Sequence, residues 1–286
     1  MSLPAEPSIA VRVRFAHAVV QHLADREGID VLHVKGPALS PEVVAVRGGG
    51  TDADVWARAT DVDRLAQSLL EHGWTRITSF QTGSVFEHAA TFHNGTFGYV
   101  DVHRSFPGLE ASDAFDRLWR RRVSREIAGV PCACLDPVGE ALVLAVHAAR
   151  SNGRPRDMDL VWHSQPGDVR QRIRELASEL DAEVALAAAI GELDCYRDDP
   201  AYDIWRIQLH PESRLESLRV RMRKAPTVRS KARVLARHLV PNFRYEELRA
   251  GRHLGRRGRL EVLARHYRRL IRRLASAILK MRSFSR

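Results

Sequence analysis

Two aspartates, Asp52 and Asp54, stand two residues apart in the mostly apolar run Thr51-Asp52-Ala53-Asp54-Val55-Trp56. On a β-strand, the period of two puts both carboxylates on one face and Ala53 and Val55 on the other. Carboxylates that close repel, and a fold keeps them together only where solvent or a cation offsets the charge. Oxygen ligands of this kind suit a hard divalent ion such as magnesium. The same spacing also occurs by chance on exposed strands, so its neighbours decide its meaning. Upstream, Val31-Leu32-His33-Val34-Lys35-Gly36 reads as a short buried strand stopped by a glycine. Downstream, Gly98-Tyr99-Val100-Asp101-Val102-His103 alternates in the same way and carries a third aspartate. Lys35 is the sole lysine in the first 223 residues of a chain with 45 Lys/Arg. A compact ammonium beside a strand-ending glycine suits a phosphate better than a broad guanidinium does. An ordinary surface lysine is the alternative.

A strand ending in glycine, a strand bearing D-x-D and a later strand with one more aspartate resemble, in that order, the nucleotidyltransferase superfamily. Lys35-Gly36, Arg47, Asp52-Ala53-Asp54, Gly73-Trp74 and Val100-Asp101-Val102-His103 resemble one bacterial family within it. The likeness is firm over residues 30–105 and continues loosely through Leu144-Ala145-Val146-His147 and Arg156-Asp157-Met158-Asp159-Leu160. It implies transfer of a nucleoside monophosphate from an NTP, ATP among them, to an acceptor, with release of pyrophosphate. It also implies two magnesium ions about 4 Å apart, with manganese as the substitute ion. On this resemblance Asp52 and Asp54 bind both ions, while Asp101 holds the acceptor-side ion and takes the acceptor proton. Lys35, Gly36, Arg47 and Thr51 make up the nucleotide side, with the backbone after Gly36 approaching the triphosphate at a helix N-terminus. Similar proteins encoded near natural-product and polysaccharide pathways imply a tailoring role on a small-molecule or peptide acceptor. The chain departs from the superfamily pattern at two points. Pro37 stands where a small Gly or Ser is usual, and the spacing from Gly36 to Asp52 is long, with Gly48-Gly49-Gly50 taking up the slack.

Other residues carry two readings each. Arg47 reaches the phosphates or is a solvated helix-end arginine. His103, two along the strand from Asp101, orients that carboxylate or relays a proton, or is a satisfied core histidine. His147, on an apolar helix, reads as structural. Asp157 and Asp159 follow an arginine-rich loop and read as partners of Arg154 and Arg156.

No window approaches the roughly 18 apolar residues of a membrane span, and Met1 to Pro7 lacks the features of a secretory signal. Cys132, Cys134 and Cys195 form an odd set without C-x-x-C spacing, so reduced thiols and a soluble cytoplasmic protein are expected. Charge is uneven along the chain. Residues 219–286 hold 22 of the 45 Lys/Arg but 3 of the 35 Asp/Glu, so this tail carries +19 and the remainder −9 of the net +10. The division suggests an acidic part that handles metal and a basic part that handles anions. The rival readings are an inactive scaffold that binds nucleic acid through the tail, and sugar transfer from a nucleotide sugar. In the last helix Leu260, Leu263, Tyr267, Leu270, Leu274, Ile278 and Met281 share a face, flanked by Arg265, Arg268, Arg269, Arg272 and Arg273. Such a stripe packs on a core, lies on an anionic membrane, binds RNA or holds the acceptor.

The elements that position these residues follow from periodicity and punctuation. Residues 8–26 read as a helix with Val11, Phe15, Val19 or Val20, and Leu23 inward. Ser40-Pro41 opens a short helix toward Val46, and Thr60-Asp61-Val62-Asp63 resembles a capping box before a helix that Gly73 ends. Trp74 to Phe80 reads as a strand. Val85–Phe92 and Thr96–Arg104 flank His93-Asn94-Gly95 as a hairpin. Helices are expected over 113–125, 136–151, 168–193, 212–224, 227–239 and 259–281. The expected fold is α/β (α+β): a small mixed-sheet core over 1–110, then a helical domain over 111–286 with the basic segment 219–286.

Overall fold

The computed structural model describes residues 7–80, 88–151, 155–209, 227, 231, 241, 243, 246–247 and 254–268. Two compact units divide the chain, Met1–Ser217 and Leu218–Arg286. The first is a mixed α/β unit built on one seven-stranded sheet. Helix α1 (Ile9–Glu27) starts at Ser8, whose hydroxyl accepts from the Val11 amide, and ends at left-handed Gly28. Its buried face is Val13, Ala16, His17, Val20, Leu23 and Ala24. Val11 and Phe15, expected inward, are 41% and 48% exposed. Val20 and Leu23 are buried as expected, and Val13, Ala16 and His17 take the inward places expected of Val11 and Phe15.

Strand β1 (Val31–His33) leads through a tight turn to α2 (Pro41–Arg47), and Gly48–Gly50 then enters β2 (Asp52–Ala57). The triple glycine has a steric reason. Gly36 has φ +64°, and a Cβ there would stand 2.7 Å from the Gly49 carbonyl oxygen. The two loops touch through backbone, which only glycine permits at that φ. Helix α3 (Val62–Glu71) follows, without a side-chain cap from Asp61. Of the expected strand at 74–80, only β3 (Thr75–Arg76) pairs with a neighbour. β4 (Ala89–Asn94) and β5 (Gly98–His103) form the hairpin. Its turn lies later than expected, because Asn94 Oδ1 accepts from the amides of Thr96 and Phe97 at 2.9 and 3.3 Å.

Beyond residue 110 the structure departs from an all-helical reading. Helix α4 (Ala114–Arg120) stops early, and β6 (Val123–Ile127) and β7 (Val130–Cys134) form a second hairpin across Ala128 and Gly129, with φ +50° and +80°. β7 runs parallel to β1 and extends the sheet, so the expected boundary near residue 110 falls inside the first unit. Helices α5 (Pro137–Arg150), α6 (Pro155–Met158), α7 (Gly167–Glu179), α8 (Glu183–Ile190) and α9 (Tyr202–Leu209) complete it. The single helix expected over 168–193 is two, broken where Asp181 adopts φ +50°.

The sheet order is β3-β4-β5-β2-β1-β7-β6. One face packs on α1 and α3 through Ala53, Val55, Val100, Val102 and Phe92. The other meets α5 and the helices after it through Leu32, Trp56 and Phe106. In the second unit residues 256–268 are helical, with Val262 buried and Leu260 and Tyr267 exposed. The helix expected over 212–224, most of that over 227–239, and Arg269, Leu270, Arg272, Arg273, Leu274, Ile278 and Met281 lie outside the described residues. Among the described residues, no helix is long and apolar enough to cross a membrane.

Candidate functional site

The register of three strands assembles the site. β2 and β5 run parallel with Asp52 opposite Tyr99, Asp54 opposite Asp101 and Trp56 opposite His103. β4 runs antiparallel to β5 with His93 opposite Tyr99 and Thr91 opposite Asp101. Partners across a ladder share a face, so Asp52, Asp54, Asp101, His103, Thr91, Tyr99 and His93 all stand on the face away from α1. Alternation within β2 makes this work: Ala53 and Val55 bury themselves on the α1 side and leave the carboxylates on the other.

Asp54 is the centre, only 4% exposed. Its Oδ1 accepts from Lys35 Nζ at 2.7 Å and from His103 Nε2 at 2.9 Å. Burial raises a carboxyl pKa, but the adjacent Lys35 ammonium and the His103 hydrogen bond outweigh it, so Asp54 lies well below the ordinary carboxylate range. Burial lowers the pKa of His103, against the pull of Asp54, and its Nδ1 is buried without a hydrogen bond. The ring is therefore neutral, with its hydrogen on Nε2 given to Asp54. Asp101 has the opposite fate. Burial first, then repulsion from Asp54, pushes it up to about 7, although Thr91 donates a hydrogen bond to it. Asp52 is half-buried and also raised, by burial and by Asp54. These carboxylates hold more negative charge than Lys35 neutralises.

Asp54, Asp101 and His103 place ligand atoms within 4.8 Å of one another, close enough to share one ion. Two carboxylates of three donors, with Asp52 on the same face, fit a divalent cation with a preference for oxygen. Repulsion from Asp54 adds to burial in raising Asp101.

The other expected residues divide. Lys35 is in the site, bonded to Asp54. Gly36 lies beside it, but it opens a three-residue turn, Gly36–Ala38, and not a helix with an N-terminus of useful length. Thr51 is exposed, its hydroxyl 3.4 Å from Asp52 Oδ1. Arg47 is bound to Asp157, Nε lying 3.1 Å from both carboxylate oxygens. Asp157 thus has Arg47 as a partner, Arg154 lies outside the described residues, and Asp159 is exposed. His147 is half-buried, with Nε2 3.4 Å from the Ser151 hydroxyl.

Several neighbours were not singled out in the sequence. Thr91 and the His93–Tyr99 ring pair, 4.7 Å between centroids, depend on the hairpin register. Arg150, at the end of α5, stands 3.4 Å from His88 Nε2 and over the Phe106 ring. His88 in turn lies 5.2 Å from the His103 ring. Burial lowers Arg150 to about 10, against the pull of Asp54. No local signal ties residues 88 and 150 together, since only the tertiary fold brings them into contact.

The profile of a family described as "Uncharacterised nucleotidyltransferase" matches residues 13–195, more than half of the chain. No curated protein matches it. Among solved structures it is similar to lincosamide antibiotic adenylyltransferase LnuA bound to lincomycin, at 13% identity and TM-score 0.31, over 56% of this chain and 93% of that one. It is also similar to an antigenic nucleotidyltransferase-like protein from Paracoccidioides brasiliensis, at 14% identity and TM-score 0.38, over 68% and 92% of the two chains. Both structural likenesses are distant.

Proposed function

The chain belongs to the uncharacterised nucleotidyltransferase family, and on that premise we propose that it moves a nucleoside monophosphate from a magnesium-bound NTP to a small-molecule or peptide acceptor in a tailoring pathway. The observation that carries this reading is the β2–β5 register, which sets Asp54 opposite Asp101 with Asp52 two residues away on the same face. In this reading an acceptor hydroxyl or amine attacks the α-phosphorus, the bond to the β-phosphate oxygen breaks, and pyrophosphate leaves. Asp101 takes the proton that the acceptor loses. Neutral His103 holds Asp54 in orientation, and Lys35 has further ammonium hydrogens to give to the triphosphate. Magnesium held by Asp52, Asp54 and Asp101 would supply positive charge where it develops in the transfer.

The same geometry divides the site into two flanks. Lys35, Gly36 and Gly48–Gly50 lie on the β1 side of Asp52, while Tyr99, Thr91 and His93 lie on the β5–β4 side. In-line displacement sets leaving group and attacking atom opposite each other. We therefore assign pyrophosphate to the first flank and the acceptor to the second, with the half-buried His93–Tyr99 pair as a ledge for the acceptor's body.

The test is product mass. The protein is incubated with magnesium, each NTP in turn and a cell extract, and products are searched for a nucleoside monophosphate increment. Asp54→Asn and Asp101→Asn should abolish the increment while the fold persists. A sugar-sized increment would point instead to sugar transfer, and unchanged magnesium affinity by calorimetry in both variants would remove the metal from this site.

A further inference from the structure

Helix α2 joins the two glycine loops of the phosphate flank, with Lys35–Gly36 before it and Gly48–Gly50 after it. None of its seven residues is buried. A helix this short has little stability of its own, and Val43 and Val44 are only partly buried against the core. Buried Val34, Ala38 and Leu39 anchor the chain before α2, whereas the helix itself gains little from apolar burial.

Both ends of α2 are tied to carboxylates from the helices that cover this face. At its start, Glu140 of α5 accepts from the Ser40 amide at 2.8 Å and from the Ser40 hydroxyl at 2.6 Å, one on each oxygen. Arg125 of β6 pairs with Glu140 at 3.3 Å and donates to the carbonyls of Ala38 and Leu135 at 2.8 and 2.9 Å. Ion pair and loop thus form one unit. At its end, Arg47 gives its Nε hydrogen to both oxygens of Asp157 on α6. Glu140 and Asp157 are 3% and 5% exposed. Buried carboxylates are costly to desolvate and usually add little net stability. What these two gain is direction, because each fixes one end of a helix that is only partly buried.

We propose that Glu140 and Asp157 are positioning residues for the phosphate flank: they pin the two ends of α2 so that Lys35–Gly36 and Gly48–Gly50 face the triphosphate. This rests on the nucleotidyl-transfer reading above. The experiment titrates the full chain by calorimetry with magnesium tripolyphosphate, which presents a phosphate chain without a base, and follows melting alongside. Glu140→Gln, Ser40→Ala and Asp157→Asn should each weaken binding, the two carboxylate changes by about tenfold, and in a Lys35→Ala background Glu140→Gln should add less than about twofold. Folded Glu140→Gln and Asp157→Asn proteins that bind the probe as wild type does would overturn the proposal, as would losses that simply multiply with Lys35→Ala. If Glu140→Gln fails to fold, Ser40→Ala and Asp157→Asn decide on the same criterion. A wild-type protein that does not bind the probe would overturn the nucleotide reading and this inference together, whereas binding that is indifferent to the pins would overturn this inference alone.

Discussion

On the face of the sheet that carries Asp54, two hydrogen-bond donors keep one buried carboxylate charged against its burial, whereas on the opposite face burial keeps a histidine pair neutral. Asp54 stays ionised because Lys35 and His103 both give hydrogen bonds to one of its oxygens. Behind the sheet, His17 Nδ1 lies 2.7 Å from His33 Nδ1, and His33 Nε2 lies 3.0 Å from Gln21 Oε1. Gln21 Oε1 can only accept, so His33 donates from Nε2, its Nδ1 accepts, and His17 donates from Nδ1. His17 Nε2 is left as a buried lone pair without a hydrogen bond. One neutral tautomer on each ring satisfies the pair, and burial drives both pKa values down. The difference teaches how the two faces divide their work. The back face needs no ligand, while the front face holds carboxylates whose charge one lysine does not balance.

The sharpest way to test that division is to damage each face in turn. Phe92 is fully buried on the α1 side, between β3 and β5. Phe92→Ala should cost about 3–5 kcal/mol of stability, the usual range for a large-to-small change in a core. Magnesium affinity of the molecules that remain folded should be unchanged. A folded Phe92→Ala protein with weakened magnesium binding would show that the faces are coupled and not divided.

On the front face the largest single effect on ligand should come from Lys35. Lys35→Ala should weaken binding of magnesium–NTP by about 1.5–3 kcal/mol, the scale of a hydrogen bond to a charged group. Lys35→Arg should recover part of this, because a planar fork is not a point charge. If Lys35→Ala binds NTP normally, the ammonium serves only to balance Asp54 in the resting protein.

How much of this was legible depended on whether chemistry and periodicity lay in the same few residues. The D-x-D strand, the lysine-glycine turn and the third aspartate each sit in one short run, and alternation alone put Asp52 and Asp54 on one face. The hairpin was harder. A turn at His93-Asn94-Gly95 would set Asp101 opposite Glu87, but the side chain of Asn94 closes a later turn and pairs it with Thr91. With His93 read as a turn residue, its pairing with Tyr99 was out of reach. The second hairpin had a signal: Val123, Arg125 and Ile127 alternate before Ala128-Gly129, as do Val130, Cys132 and Cys134 after it. Glu140 and Arg150 had none, and that of Asp157 pointed to nearby arginines, because the partners seen here lie 62 to 110 residues away in sequence.

The smallest effect expected is also the one that compares the faces most directly, because the two titrate with opposite sign over one pH window. Asp101 is raised in the fold from 3.8 to about 7, so the folded state binds this proton more tightly than the unfolded chain does. Its contribution to stability is full below about pH 4 and lost as pH rises toward 7. His17 is lowered from 6.5 to about 4, so its contribution is full above pH 6.5 and lost as pH falls toward 4. Other groups titrate too, and the clean measurement is the melting difference between each variant and wild type. In the absence of divalent metal, the advantage of Asp101→Asn should grow by about a few degrees as pH rises from 4 to 7. That of His17→Gln should grow as pH falls from 6.5 to 4. Magnesium should shrink the first trend, since a cation beside Asp101 holds the carboxylate ionised in the fold, and should leave the second alone. Parallel trends in the two variants, or an equal response of both to magnesium, would mean that the two faces do not hold their charge in the different ways described here.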